Sequence, residues 1–182
     1  MIQISTFMWV MALVFGYIGF TRGWNKEIIA TSGIILGLFA LHQFDDLLRE
    51  TLLANLPPSQ VFFVQAVIFI VIVFFAYQTR ALIGADATEA RGGEGRDLLQ
   101  SSVLGGIVGF VNGYLVWGTL WYFMDITGYP LSPYISRPLA GTVSADFIDS
   151  LPLYVLAGGP DGAGNLLAAA MIGLFLIVLI LI

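Results

Sequence analysis

The side chains best placed to do chemistry stand together in one short run, Arg22-Gly23-Trp24-Asn25-Lys26-Glu27, between two apolar stretches. An ion near hydrocarbon is costly and is usually paired or set in a wet cavity, so Arg22, Lys26 and Glu27 are the candidates for binding a partner or a substrate. A plainer role suits them as well. Glu27 falls in the first turn of the following helix, where the helix dipole favours an anion, Arg22 can partner it across the turn, and both cations can anchor the chain at a membrane surface. His42, in "FALHQFDD", is the single histidine. From a helix it could ligate a haem or a bacteriochlorophyll, although a haem held from both faces needs a second ligand. Beside Gln43, Asp45 and Asp46 it also reads as an interfacial polar residue, and Asp125 reads the same way. One histidine and no cysteine supply neither a His–carboxylate–nucleophile set nor a metal-ligand cluster. The residues therefore argue against an enzyme and against a resident metal or cofactor, and they exclude disulfides and iron–sulfur centres.

Apolar helices must position these groups. Of 182 residues, 58% are hydrophobic and 10% charged, against about a quarter charged in a soluble domain. Four runs, about 3–20, 27–44, 61–83 and 102–124, reach the roughly 20 residues that span hydrocarbon. A fifth, 166–182, would rise only about 26 Å, enough for a short span or a helix docked at the interface. The expectation is an all-α polytopic bundle in one membrane domain. The first run has no basic leader and no Ala-x-Ala site behind it, so it reads as a retained helix. Arg22, Lys26, Arg80, Arg91 and Arg96 fall in the links after runs one and three, and Arg49 and Arg137 on the other side. That asymmetry predicts the amino terminus outside and the carboxyl terminus in the cytoplasm. A net charge of −5 with no basic tract gives no footing for nucleic acid; the bilayer is the partner that composition implies.

The links carry weaker signals. "DDLLRETLLANLPPSQ" spaces leucines for a short surface helix ended by Pro57-Pro58, and "GADATEARGGEGRD" reads as a solvated loop. Residues 125–165 hold five of the 7 prolines and should lie along the outer surface, with a short amphipathic helix in "LAGTVSADFIDSLPLY" capped by Ser144. Tyr129, Tyr134 and Tyr154 suit the water–lipid boundary. Trp117 and Trp121, one turn apart, could contact a pigment or quinone.

The glycines are patterned. Lipid supplies no hydrophobic force between helices, so association depends on close backbone approach and interhelical hydrogen bonds. Gly105, Gly109 and Gly113 recur every four residues on one face, with Asn112 beside them, and Gly33 and Gly37 do the same on the second run near Thr31 and Ser32. "GYIGFTRGW" from Gly16 and "GIVGFVNGY" from Gly106 share the pattern Gly-x-x-Gly-Phe-x-x-Gly-aromatic. It marks either an ancient duplication of a hairpin in parallel orientation or two packing faces under the same constraint. Gln65 and Asn112, neutral polar groups within spans, must each find a hydrogen bond in lipid, from a neighbouring helix or along a pore.

These motifs resemble the colicin V production protein family of bacterial inner-membrane proteins. That family's Gly-x-x-Arg-Gly-x-x-x-Glu run stands here as Gly19-Phe20-Thr21-Arg22-Gly23-Trp24-Asn25-Lys26-Glu27. Its second motif, Asp-Arg-x-x-Gly-x-x-x-Gly-x-x-Arg-Gly, keeps Gly105, Gly109 and Gly113, with Ser101 and Ser102 in place of Asp-Arg and Asn112 in place of the arginine. The likeness covers about 1–125 and reaches loosely into "ISRPLAGTVSADF"; a terminal apolar run is not part of it. It implies the bacterial cytoplasmic membrane and a part in export of secreted factors and envelope physiology. On this basis the chain is expected to be a helix-packing scaffold whose Gly19, Gly23, Gly33, Gly37, Gly105, Gly109, Gly113 and Asn112 hold other transmembrane helices, in a homo-oligomer or a larger complex. Two alternatives are an accessory subunit of a respiratory or photosynthetic assembly and a small transporter or channel component.

Overall fold

The computed structural model describes residues 3–78 and 95–181. Arg80, Arg91 and most of the expected solvated loop, with Gly92, Gly93 and Glu94, lie outside the described residues. Five long helices run through the rest: α1 (Ile4–Arg22), α2 (Trp24–Gln43), α3 (Pro58–Tyr77), α4 (Gly95–Ile126) and, after two short ones, α7 (Asn165–Leu181). The short ones are α5 (Val143–Asp146) and α6 (Pro152–Ala157). Among the described residues, α1, α2, α3 and α4 are long and apolar enough to cross a bilayer, and the molecule is a helical membrane bundle.

The boundaries differ from the sequence expectation in instructive ways. The expected link between the first two spans shrinks to Gly23. With φ at 80°, a conformation side chains resist, Gly23 donates its N–H to the Gly19 carbonyl at 2.9 Å, ending α1, and the chain enters α2 at once. Arg22 is thus the last residue of α1, and Lys26 and Glu27 belong to the first turn of α2. At the other end of α2 a π-helical turn, Leu47–Leu52, takes the place of the regular surface helix. Pro57 in extended conformation and Pro58 at the first helical position then start α3. Helix α4 is 32 residues long, about 48 Å, and absorbs Gly95, Arg96 and Asp97, which were read as loop. Ser144 does not cap α5: Thr142 does, accepting the Ala145 N–H, while the Ser144 hydroxyl bonds that of Ser5 at 2.8 Å.

Helix α2 is the centre of the bundle. Ile34, Leu38 and Leu41 are buried against Phe62, Phe69 and Val73 of α3 and Leu115 and Val116 of α4, and α7 lies along a further side of α2. Helix α1 is held chiefly by α4, and the seam between them is made of glycine. A methyl group on Gly105 would stand 2.5 Å from the Gly19 carbonyl oxygen, on Gly109 2.5 Å from that of Phe15, and on Gly113 2.6 Å from Cα of Ala12. The two copies of the repeated pattern therefore pack on each other, antiparallel. The contacts are reciprocal, Gly16 lying against Phe110 and Gly106 against Phe20. Gly33 and Gly37 serve a different seam, where added methyls would meet Ala76 and Ile72 of α3 at 2.6 Å.

The segment after α4 closes over the end of the bundle where α1 begins. Ser144 accepts from the Ser5 N–H, Phe147 lies between Trp9 and Trp121, the Tyr114 hydroxyl donates to the Ser150 carbonyl, and Gly118 makes room for Pro152. Leu151 and Leu153 are fully buried there.

The seam makes a sharp prediction. Gly109→Leu must push α1 off α4 against backbone atoms, and overpacking of this kind costs about 3 kcal/mol. Gly173, on α7, has open space around it, and Gly173→Leu should be neutral. Recovery of monodisperse protein by size-exclusion chromatography in mild detergent should fall severalfold for the first variant and hold for the second; equal recovery would refute the seam.

Candidate functional site

The charged run seen in the sequence folds into a buried node joining four helices. Helix α2 begins so soon after α1 that Arg22 and Glu27, on either side of the Gly23 turn, meet: Nη1 of Arg22 donates to Oε1 of Glu27 at 2.7 Å. Glu27 is fully buried, and the Arg22 side chain retains 17% exposure. The second carboxylate oxygen of Glu27 accepts from Nδ2 of Asn112 on α4 at 2.9 Å and from the Tyr77 hydroxyl on α3 at 3.2 Å. Asn112 also donates to the Glu27 carbonyl at 3.3 Å, and its own Oδ1 accepts from Thr31 at 2.7 Å. Nη2 of Arg22 donates to the Tyr77 carbonyl at 3.2 Å, one of the carbonyls that a helix end leaves without an intrahelical partner. The guanidinium carbon sits 4.5 Å from the centre of the Tyr77 ring, a cation–π geometry.

The two Glu27 oxygens are thus engaged by donors from three other helices. That arrangement offsets the desolvation of a carboxylate in a low-dielectric interior, which an ion pair alone seldom does. The node binds charge to charge within the protein, and its geometry is that of a clamp. Lys26, the third member of the run, is exposed at the surface, and neither ion pair among the described residues includes it. Of the residues singled out from sequence, Arg22, Glu27 and Asn112 come together, with Gly19, Gly23, Gly105, Gly109 and Gly113 on the seam beside them.

Tyr77 was not anticipated. It closes the apolar run "VIVFFAY", and the only available signal was that an out-and-back hairpin of two equal spans, each 20 residues long, returns its end to the level where α2 began.

The remaining polar candidates belong to the opposite end of the bundle. Nε2 of His42 donates to the Gly162 carbonyl at 2.9 Å, and Gly164 lies against the imidazole where a side chain would collide. The ring fastens the turn before α7, and that nitrogen is not free to ligate a pigment. Gln65 on α3 donates to Asp45 at 3.0 Å, and Arg49 pairs with the other Asp45 oxygen at 3.0 Å. Burial nevertheless holds the Asp45 carboxyl above its ordinary value of 3.8, against the pull of Arg49. Asp125 accepts from Tyr154 at 2.9 Å. Trp121 donates to the Tyr129 hydroxyl at 3.0 Å, and burial pushes that phenol up to about 12, so it stays neutral and able to accept across ordinary pH. Trp121 itself is buried against Phe147, and Trp117 takes the edge of Phe7.

Four apolar spans, glycine seams and a charged clamp at a helix turn define a multi-pass α-helical membrane protein. More particularly, the chain belongs to the colicin V production protein family, whose model matches residues 4–151, from the start of α1 to the threshold of α6; α7 follows the matched region. No curated protein and no solved structure matches the chain.

The clamp predicts unequal costs for its members. Arg22→Met leaves a buried carboxylate uncompensated and should destabilise the bundle by about 3–5 kcal/mol. Glu27→Gln keeps an acceptor for Asn112 and Tyr77 and should cost less, while Tyr77→Phe, losing one hydroxyl, should cost about 1 kcal/mol. Lys26→Met, at an exposed residue outside both ion pairs of the described residues, should stay within about 0.5 kcal/mol. Denaturant unfolding in mild detergent measures all four, and equal effects of Arg22→Met and Lys26→Met would sink the clamp.

Proposed function

We propose that this protein is a non-enzymatic scaffold of the bacterial cytoplasmic membrane that holds a transmembrane helix of another polypeptide within an export or envelope system. One observation carries the reading: the groove left outside the α1–α4 seam. The inner glycines are occupied by the chain's own helices, so they are not what a partner would use. The outer faces of Gly16 and Gly106 remain, at the floor of a shallow, largely open apolar groove lined by Leu13, Tyr17, Phe20, Val103, Ile107 and Phe110. Small residues at such a floor let a partner backbone come near, the condition for association in lipid. Tyr17 is 72% exposed at its edge, offering a hydroxyl that gains from an acceptor in a low-dielectric setting. The family's name points to production of a secreted factor, in keeping with a membrane component that positions others. The clamp then has a supporting part, keeping α1 and α4 rigid under the groove. In this reading the excess of Lys and Arg in the links after α1 and α3 supports a cytoplasmic Gly23 end of α1, and α7, read as a short fifth span, would return the carboxyl terminus to that side.

Photo-crosslinking in living cells tests this. A benzoylphenylalanine at Tyr17 or Ile107 should yield adducts with another polypeptide, heterologous or a second copy, whereas the same group at Phe75, exposed on α3, should label none. Absence of any polypeptide adduct from the groove, or equal labelling from Phe75, would overturn the scaffold.

A further inference from the structure

Large apolar side chains stand exposed in a stretch that belongs to no span. Between α4 and α5, Tyr134 is 94% exposed and Leu139 78%, with Ile135 also uncovered, and Val143, the first residue of α5, is 67% exposed. Arg137 is exposed among them, and neither ion pair of the described residues includes it. The level of this loop is fixed. Val143 precedes Ser144, which is bonded to Ser5 in the first turn of α1. Helix α1 is 19 residues long, about 28 Å, close to the roughly 30 Å of a hydrocarbon core. Its first turn therefore marks the boundary between hydrocarbon and headgroups, and the loop sits at that boundary. Phe44, Leu47 and Leu52, after α2, are also exposed at this end of the bundle. Unlike Arg137, the arginine of that stretch, Arg49, is paired with Asp45.

We propose that residues 130–143 form a lipid-binding loop in which Leu139 and Val143 enter the headgroup layer and Arg137 takes the phosphate of a phospholipid. A guanidinium suits phosphate by its planar fork of donors, and an aromatic ring such as Tyr134 is at ease in this layer. The lipid is zwitterionic: Asp146 and Asp149 are exposed just beyond the loop and oppose a surface of net negative charge. This inference stands apart from the groove on α1 and α4, and either can fail without the other.

The test uses the absence of cysteine. The full chain with Leu139→Cys, an exposed site, carries one environment-sensitive fluorophore in nanodiscs of zwitterionic phospholipid with no other protein. Aqueous iodide should quench the label at least threefold less than it quenches the same dye on a soluble thiol, and phospholipid spin-labelled near its headgroup should quench it. Arg137→Gln in the same background should weaken quenching by the spin-labelled lipid about twofold, and inorganic phosphate in the buffer should change nothing. Full quenching by iodide would overturn the loop as a lipid site, and so would protection seen only in native membranes, which would assign the surface to a protein. Displacement by inorganic phosphate would make Arg137 a free-anion site and overturn the assignment to lipid. No effect of Arg137→Gln would remove the phosphate contact.

Discussion

Hydrocarbon gives two helices nothing to gain by burying leucine, so the bundle rests on how near the α1 and α4 backbones can come. The Gly19, Gly105 and Gly109 contacts set that distance. Where a methyl would have to occupy the space of a carbonyl oxygen, dispersion and weak Cα–H contacts act along the seam at their most favourable range. Helix α2, by contrast, is held by ordinary interdigitation of Ile34, Leu38 and Leu41 with Phe62, Phe69 and Val73. Two kinds of packing therefore coexist, a close glycine contact for α1 and a knob-filled core for α2.

Closeness has an electrostatic consequence. With α1 drawn against α4 and α2 following directly after Gly23, the end of α1, the start of α2, the end of α3 and the middle of α4 converge, and Arg22, Glu27, Tyr77 and Asn112 meet there. A carboxylate at this depth is tolerable only because donors from three other helices are already in place around it. At the opposite end the helices are tied by neutral hydroxyls and aromatic rings, Ser5 to Ser144, Trp121 to Tyr129 and Phe147 between two indoles, together with two half-buried carboxylates, Asp45 taking Gln65 and Arg49 and Asp125 taking Tyr154. One end of the bundle is clamped on a fully buried carboxylate, and the end covered by the proline-rich segment is packed, its carboxylates only half buried.

Much of the architecture was legible in the sequence because lipid leaves few choices. Apolar runs of the right length had to be helices, and the glycine period had to be a packing face. What the spacing alone did not disclose was the partner of each face. Gly105 and Gly19 look equally suited to a foreign helix, and only the fold shows them filled by each other while Gly33 and Gly37 turn to α3. The node was half visible: Arg22 and Glu27 are five residues apart and could be paired by eye, but Tyr77 and Asn112 lie 50 and 85 residues from Glu27, distances at which only tertiary structure speaks. Helix ends were misread where a polar residue was taken as a boundary. Arg22 and Lys26 continue helices because a long cation can extend its head toward water from a helical backbone.

The family motif acquires a single physical meaning from this geometry. In Gly19-x-x-Arg22-Gly23-x-x-x-Glu27, Gly19 allows the approach to α4, and Gly23 turns the chain through a positive φ in a space bounded by Ser101 and by Gly105, whose added methyl would meet Gly23 Cα at 2.9 Å. The turn sets Arg22 and Glu27 face to face. A side chain at Gly23 would be strained by its dihedral and crowded by α4 at once, and the ion pair would lose its register before any of its own atoms had changed. The second motif obeys the same logic with a different residue. Where the family pattern carries an arginine, Asn112 here serves as donor to Glu27 and acceptor from Thr31. With Arg22 already opposite Glu27, a neutral amide fills the remaining valence of the carboxylate, while a second buried cation would need a counter-charge that none of the described residues at the node supplies.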